Sequence, residues 1–111
     1  MPTAAPAPAT WPAAVQAMLP ALLSDAAQRS GVAADRLRVA SAQAVTWADG
    51  ALGCPQPGRQ YTQALVPGWR IVVHGPGVAP ITYHASQRGA WLWCPAELAT
   101  PALPASPDPR I

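Results

Sequence analysis

The chain has 111 residues, a formal net charge of +2 and only 11% charged residues, which leaves room for one domain with a modest core and little charge to steer a polyanion. Its bases are all arginine, at positions 29, 36, 38, 59, 70, 88 and 110, spread along the sequence rather than clustered, so nucleic acid is not an expected partner. Pro, Ser or Arg interrupts every apolar stretch before the ~18 to 20 residues that a bilayer-spanning helix requires.

Residues 1–10 lack the charged and apolar regions of a signal peptide. They read as a flexible Pro/Ala-rich linker of the kind that follows a removed signal or a lipid-anchored cysteine. A single domain over 11–98 comes next, and 99–111 is expected to be a flexible Pro-rich tail. Phe is absent, and five Trp and two Tyr carry most of the large apolar area, so the core should form around tryptophan.

Thr10 is a plausible N-cap, Pro12 sits where a first-turn proline is tolerated, and Gly31 stands where a left-handed C-cap belongs. Between them Val15, Met18, Leu19, Leu22, Leu23 and Ala26 fall on one helical face, which predicts a helix over 12–30 that Pro20 should kink or divide. Leu37, Val39, Val45 and Trp47 share one parity, as in a half-buried strand over 37–47. Residues 48–60 hold three Gly and two Pro and must be a loop. Pro67-Gly68 carries a type II turn signal before a strand at Trp69–His74 with Trp69, Ile71 and Val73 on one face. Gly75-Pro76-Gly77 and Arg88-Gly89 then separate strands at Ile81–Ala85 and Ala90–Cys94. The fold class is α+β: one Pro-kinked N-terminal helix packed on an antiparallel sheet of about four strands, with one disulfide.

Cys54, in the Gly/Pro loop, and Cys94, at the end of the last strand, are the sharpest chemical feature. A structural disulfide is the leading reading; a reduced thiol pair, a metal site and a catalytic thiol are the alternatives. His74 and His84 complete the ligand types of a Cys2His2 zinc site, but no C-x-x-C or closely spaced His pair is present, and no metal or cofactor is expected. Cys54 with His84 or His74 as base and Asp49 as orienter has the residue types of nucleophilic catalysis. Those types occur together in many small proteins, and an oxidised Cys54 would carry no thiolate. Of the five Trp, Trp91 and Trp93 share a parity suited to the core, while one or two others are left for a partner-binding surface.

The segments Val45-Thr-Trp-Ala-Asp-Gly-Ala-Leu-Gly-Cys-Pro-Gln-Pro-Gly58, Tyr61-Thr-Gln-Ala-Leu-Val-Pro-Gly-Trp-Arg-Ile71 and Tyr83-His84 together resemble a domain of small bacterial secreted proteins and lipoproteins. The resemblance covers roughly residues 28 to 94 and implies export and a Cys54–Cys94 pairing, but no activity. It departs at Ile81-Thr82-Tyr83, where the group tends to have a second Tyr.

The expected function is a non-catalytic extracytoplasmic module, periplasmic, secreted or lipid-anchored, that binds a protein or peptide. It would present the 49–60 loop, with Asp49, Leu52, Pro55, Gln56, Pro57, Arg59 and Tyr61 as binding residues. A protease inhibitor using the disulfide-tethered 52–57 segment is the alternative, and a Cys-dependent enzyme the less favoured third.

Overall fold

A computed structural model describes residues 11–103; the expected linker at 1–10, the Thr10 cap and the tail from 104 onward lie outside them. Helix α1 spans Ala13–Ser30, a single 3₁₀ turn follows at Ala34–Arg36, and four strands complete the chain: β1 (Arg38–Trp47), β2 (Val66–His74), β3 (Ile81–Ser86) and β4 (Trp91–Trp93). The strands form one antiparallel meander in the order β1-β2-β3-β4, so β1 and β4 are its edges.

Helix α1 begins later than expected: Pro12, rather than Thr10, stands at the N-cap with extended backbone instead of in the first turn, and its carbonyl accepts from the Gln16 N–H. It ends at Gly31, whose φ of 75° lets its N–H reach back to the Ala27 carbonyl. Pro20 does not divide α1, which continues as one element past it. Pro20 is exposed, away from the buried stripe, and it removes one backbone bond without ending the helix. The buried stripe Val15, Met18, Leu22 and Ala26 lies on Leu37, Ile71, Val73, Ile81, Tyr83 and Ala85, and this is the main core. Each fully buried Leu or Ile here contributes about 1.5–3 kcal/mol.

Two expectations are corrected by the sheet. Pro67-Gly68 is not a turn but part of β2. A Cβ on Gly68 would overlap the Ala85 carbonyl oxygen of β3, so the glycine serves close strand approach rather than a positive φ. The single parity expected for Leu37, Val39, Val45 and Trp47 also fails. The register of β1 against β2 slips between Val39 and Ser41, and one extra residue reverses the facing of everything after it. Val39 and Ala42 therefore pack toward α1, while Val45 and Trp47 face the other side.

That second side is covered without a helix. The connection from β1 to β2 folds over it, burying Ala51, Leu52, Gly53 and Cys54. Residues 99–103, expected within the flexible tail, are instead tied down: Thr100 N–H donates to the Gly53 carbonyl and Leu103 N–H to the Thr46 carbonyl.

Candidate binding site

The loop after β1 is built in two parts with different physical roles. In its first part, Asp49 Oδ1 accepts a hydrogen bond from the Ala51 N–H at 2.9 Å, starting a turn that buries Ala51, Leu52, Gly53 and Cys54. Leu52 takes a φ of 55°, which aims its carbonyl at His84 Nδ1, 2.6 Å away. A carbonyl only accepts, so Nδ1 carries the proton. The Trp47 ring stacks on this imidazole with centroids 4.3 Å apart, and its indole N–H donates to the Ala85 carbonyl. Gly53 follows with φ 70°; a Cβ there would stand 2.5 Å from the Trp47 ring. Cys54 then closes the disulfide with Cys94, with Cα atoms 5.8 Å apart. The motif residues Trp47, Asp49, Leu52, Gly53, Cys54 and His84 thus form one lock between loop and sheet.

The lock also fixes what these groups can do chemically. Cys54 and Cys94 are bonded to each other and offer neither thiolate nor metal ligand in this state. Burial pushes the His84 pKa down more strongly than its hydrogen bond to the Leu52 carbonyl holds it up, and the Arg70 guanidinium across the strand pair adds a smaller downward push. His84 is therefore a neutral imidazole. Its Nε2 is buried with no hydrogen-bond partner among the described residues. His74 does not face His84: it pairs in register with Arg38 on β1. A hollow of about 770 Å³ lies between the end of β1 and residues 99–103. Gln43, Arg70 and His84, aligned across three strands, line it.

Every residue of the second part of the loop, Pro55–Gln60, is exposed. It is nevertheless pinned. The Gln56 N–H donates to the Tyr61 hydroxyl at 3.0 Å, the Arg59 N–H to the Gln56 carbonyl, and the Gly50 N–H to the Thr62 carbonyl. Of the seven expected binding residues, the structure gathers Gln56, Arg59 and Tyr61 at one groove, leaves Pro55 and Pro57 exposed on the tip beside it, and commits Asp49 and Leu52 to the lock.

The groove, about 590 Å³ in volume, runs between that tip and β4. Trp91 and Trp93 line its far wall, Leu98 adds apolar surface, and Arg29 of α1 stands at its end. The Arg29 guanidinium carbon lies 4.1 Å from the centre of the Trp93 ring, within cation–π range. Arg29 Nε also donates to Asp25 Oδ2 at 2.6 Å, and the Tyr83 hydroxyl donates to the same oxygen at 2.6 Å. Burial works to raise the Asp25 pKa, but these two donors outweigh it and hold the carboxyl below its ordinary value. Tyr83 is pushed up, by burial first and then by Asp25, and stays a neutral phenol.

Sequence reasoning did not place Arg29 or Leu98 in a site. The Asp25–Arg29 spacing of one helical turn signals only a surface ion pair; its stacking on Trp93 depends on how α1 crosses the sheet. Trp91 meets the expectation of a core role, contacting Tyr83 edge to face at 5.6 Å. Trp93 instead keeps 37% of its surface exposed.

Residues 19–94 match the model of a family described as Domain of unknown function (DUF8738), and the chain belongs to that family. No curated protein and no solved structure matches it.

Proposed function

We propose that this chain is a non-catalytic binding module of an oxidising, extracytoplasmic compartment, and that it recognises a protein or peptide through the 55–61 tip and the groove beside β4. The observation that carries the reading is the groove itself, where a pinned tip faces a partly exposed tryptophan strand. A tip held by its own hydrogen bonds loses little freedom on binding, and aromatic and Arg side chains are the types that dominate interface energies. The disulfide supports the compartment, since reducing cytoplasm rarely preserves one. The export implied by the resemblance of the Val45–Gly58 and Tyr61–Ile71 segments agrees with this reading. No helix among the described residues is long and apolar enough to cross a membrane.

The inhibitor alternative fits this geometry less well. An inhibitory segment must be exposed and extended, whereas Leu52, Gly53 and Cys54 of the 52–57 stretch are buried and the first two have positive φ. An enzyme based on Cys54 would need the thiolate that the disulfide removes.

The test is selection of random peptides displayed against the oxidised protein, followed by mapping of amide shifts in a labelled sample. Selected peptides are expected to shift residues 56–61 and 91–93, and to bind at least tenfold more weakly when Pro55–Gln60 is replaced by a Gly-Ser stretch of equal length. Peptides that bind the replaced loop equally well would remove the tip from the site. A panel of serine and cysteine proteases is expected to remain uninhibited at micromolar protein.

A further inference from the structure

We infer that the partner is an extended peptide segment bearing carboxylates, which adds to the outer edge of β4 as a fifth strand. This rests on the groove beside β4 being the binding site.

The phase of β4 against β3 carries the argument. The Ser86 N–H donates to the Ala90 carbonyl and the Cys94 N–H to the Thr82 carbonyl, while Trp91 and Trp93 stand opposite Ala85 and Tyr83. In an antiparallel pair these positions alternate, so the backbone of Ala90, Leu92 and Cys94 faces β3 and that of Trp91 and Trp93 faces away. The outward N–H and C=O groups of Trp91 and Trp93 have no partner among the described residues. They look into the groove, and the tip across it, though close, makes no backbone bond to them. An incoming strand lies about 4.8 Å from its neighbour, and strand addition to such an edge draws affinity from main-chain bonds.

The other edge offers less. On β1 the Thr46 carbonyl is already taken by Leu103, the bulge after Val39 interrupts the row, and Arg38 marks its start. Bulges and charges of this kind are how sheets discourage pairing.

Charge selects the peptide. Among the described residues, Arg29 and Arg59 line the groove and no carboxylate side chain does. Arg29 is engaged by Asp25 and by the Trp93 ring, so among the described residues of the groove Arg59 is the cation left for a ligand. An extended segment with carboxylates on one face and apolar residues on the other would pair with Arg59 and cover Trp93.

The probes are Ac-Val-Glu-Val-Glu-Val-NH2, its lysine counterpart, and single N-methyl versions of the acidic peptide at consecutive positions, read by amide shifts, hydrogen exchange and affinity. The acidic peptide is expected to slow exchange at the Trp91 and Trp93 amides at least tenfold. N-methylation should weaken binding about tenfold or leave it unchanged, alternating along the peptide, because only every second N–H of a strand faces its neighbour. Arg59→Ala is expected to cost roughly threefold to tenfold, and the lysine peptide to bind no better than to that variant. N-methyl versions that all bind alike at 56–61 and 91–93 overturn strand addition while leaving the binding site in place. Equal binding of the lysine peptide overturns the acidic specificity. No binding of any probe, while peptides selected from the random library still map to 91–93, overturns both features together and spares the site.

Discussion

Removing the disulfide tests the coupling between lock and fold. Cys54 and Cys94 are 40 residues apart in sequence, and in the chain-entropy treatment closing a loop of that length restrains the unfolded chain by about 4 kcal/mol. For a domain of fewer than about 100 ordered residues, each kcal/mol corresponds to about 4–8 °C, so the loss amounts to a fall in Tm of roughly 15 °C or more. The clean perturbation is the double variant Cys54→Ala, Cys94→Ala, since both sulfurs are buried and a single change would leave a buried unpaired thiol. Thermal and urea unfolding followed by tryptophan fluorescence give the stability, and hydrogen exchange gives its distribution. The Cys54 N–H, bonded only to the nearby Ala51 carbonyl, should exchange faster, and so should Thr100, whose N–H depends on Gly53 staying in place. Core amides of β2 should change only with global stability. A Tm within about 3 °C of the native protein, with unchanged exchange at Cys54 and Thr100, would refute this reasoning. The Trp47–His84–Leu52 contacts would then hold the loop by themselves.

Gly53→Ala is expected to destabilise by about 2 kcal/mol or more, because it combines a positive φ with a methyl group driven into the buried Trp47 ring; urea midpoints measure it, and a cost under about 0.5 kcal/mol would count against the stacking geometry. The lowered His84 pKa predicts that stability conferred by this site is fully present above the unfolded His value of about 6.5 and declines as pH falls below it toward the folded value. His84→Asn, which can keep a donor toward the Leu52 carbonyl, is expected to flatten the urea stability profile between about pH 7 and 5, and an unchanged slope would assign that pH dependence to other groups.

The sequence by itself determined the elements whose signals are local. The 3.6-residue spacing of Val15, Met18, Leu22 and Ala26 and the Gly31 cap define α1, because backbone geometry alone puts those residues on one face. Alternation in Trp69–Val73 and the Gly-containing turns define a meander, and the Gly/Pro content of 48–60 excludes regular structure there. Local signals also named the tip side of the groove: Gln56, Arg59 and Tyr61 lie where a loop exposes its residues. What depended on packing was decided only by the tertiary structure. One bulge after Val39 reversed the facing of Val45 and Trp47, and a side-chain period of two gives no warning of an inserted residue. Pro67-Gly68 carries a turn signal yet lies in a strand, since the reason for the glycine is the Ala85 carbonyl on another strand. The role of His84 follows from contacts made 32 and 37 residues away, with Leu52 and Trp47. The free edge of β4 and the Arg29 lid on Trp93 arise where a helix, a loop and the last strand meet, and each carries only an ordinary surface pattern when read along the chain.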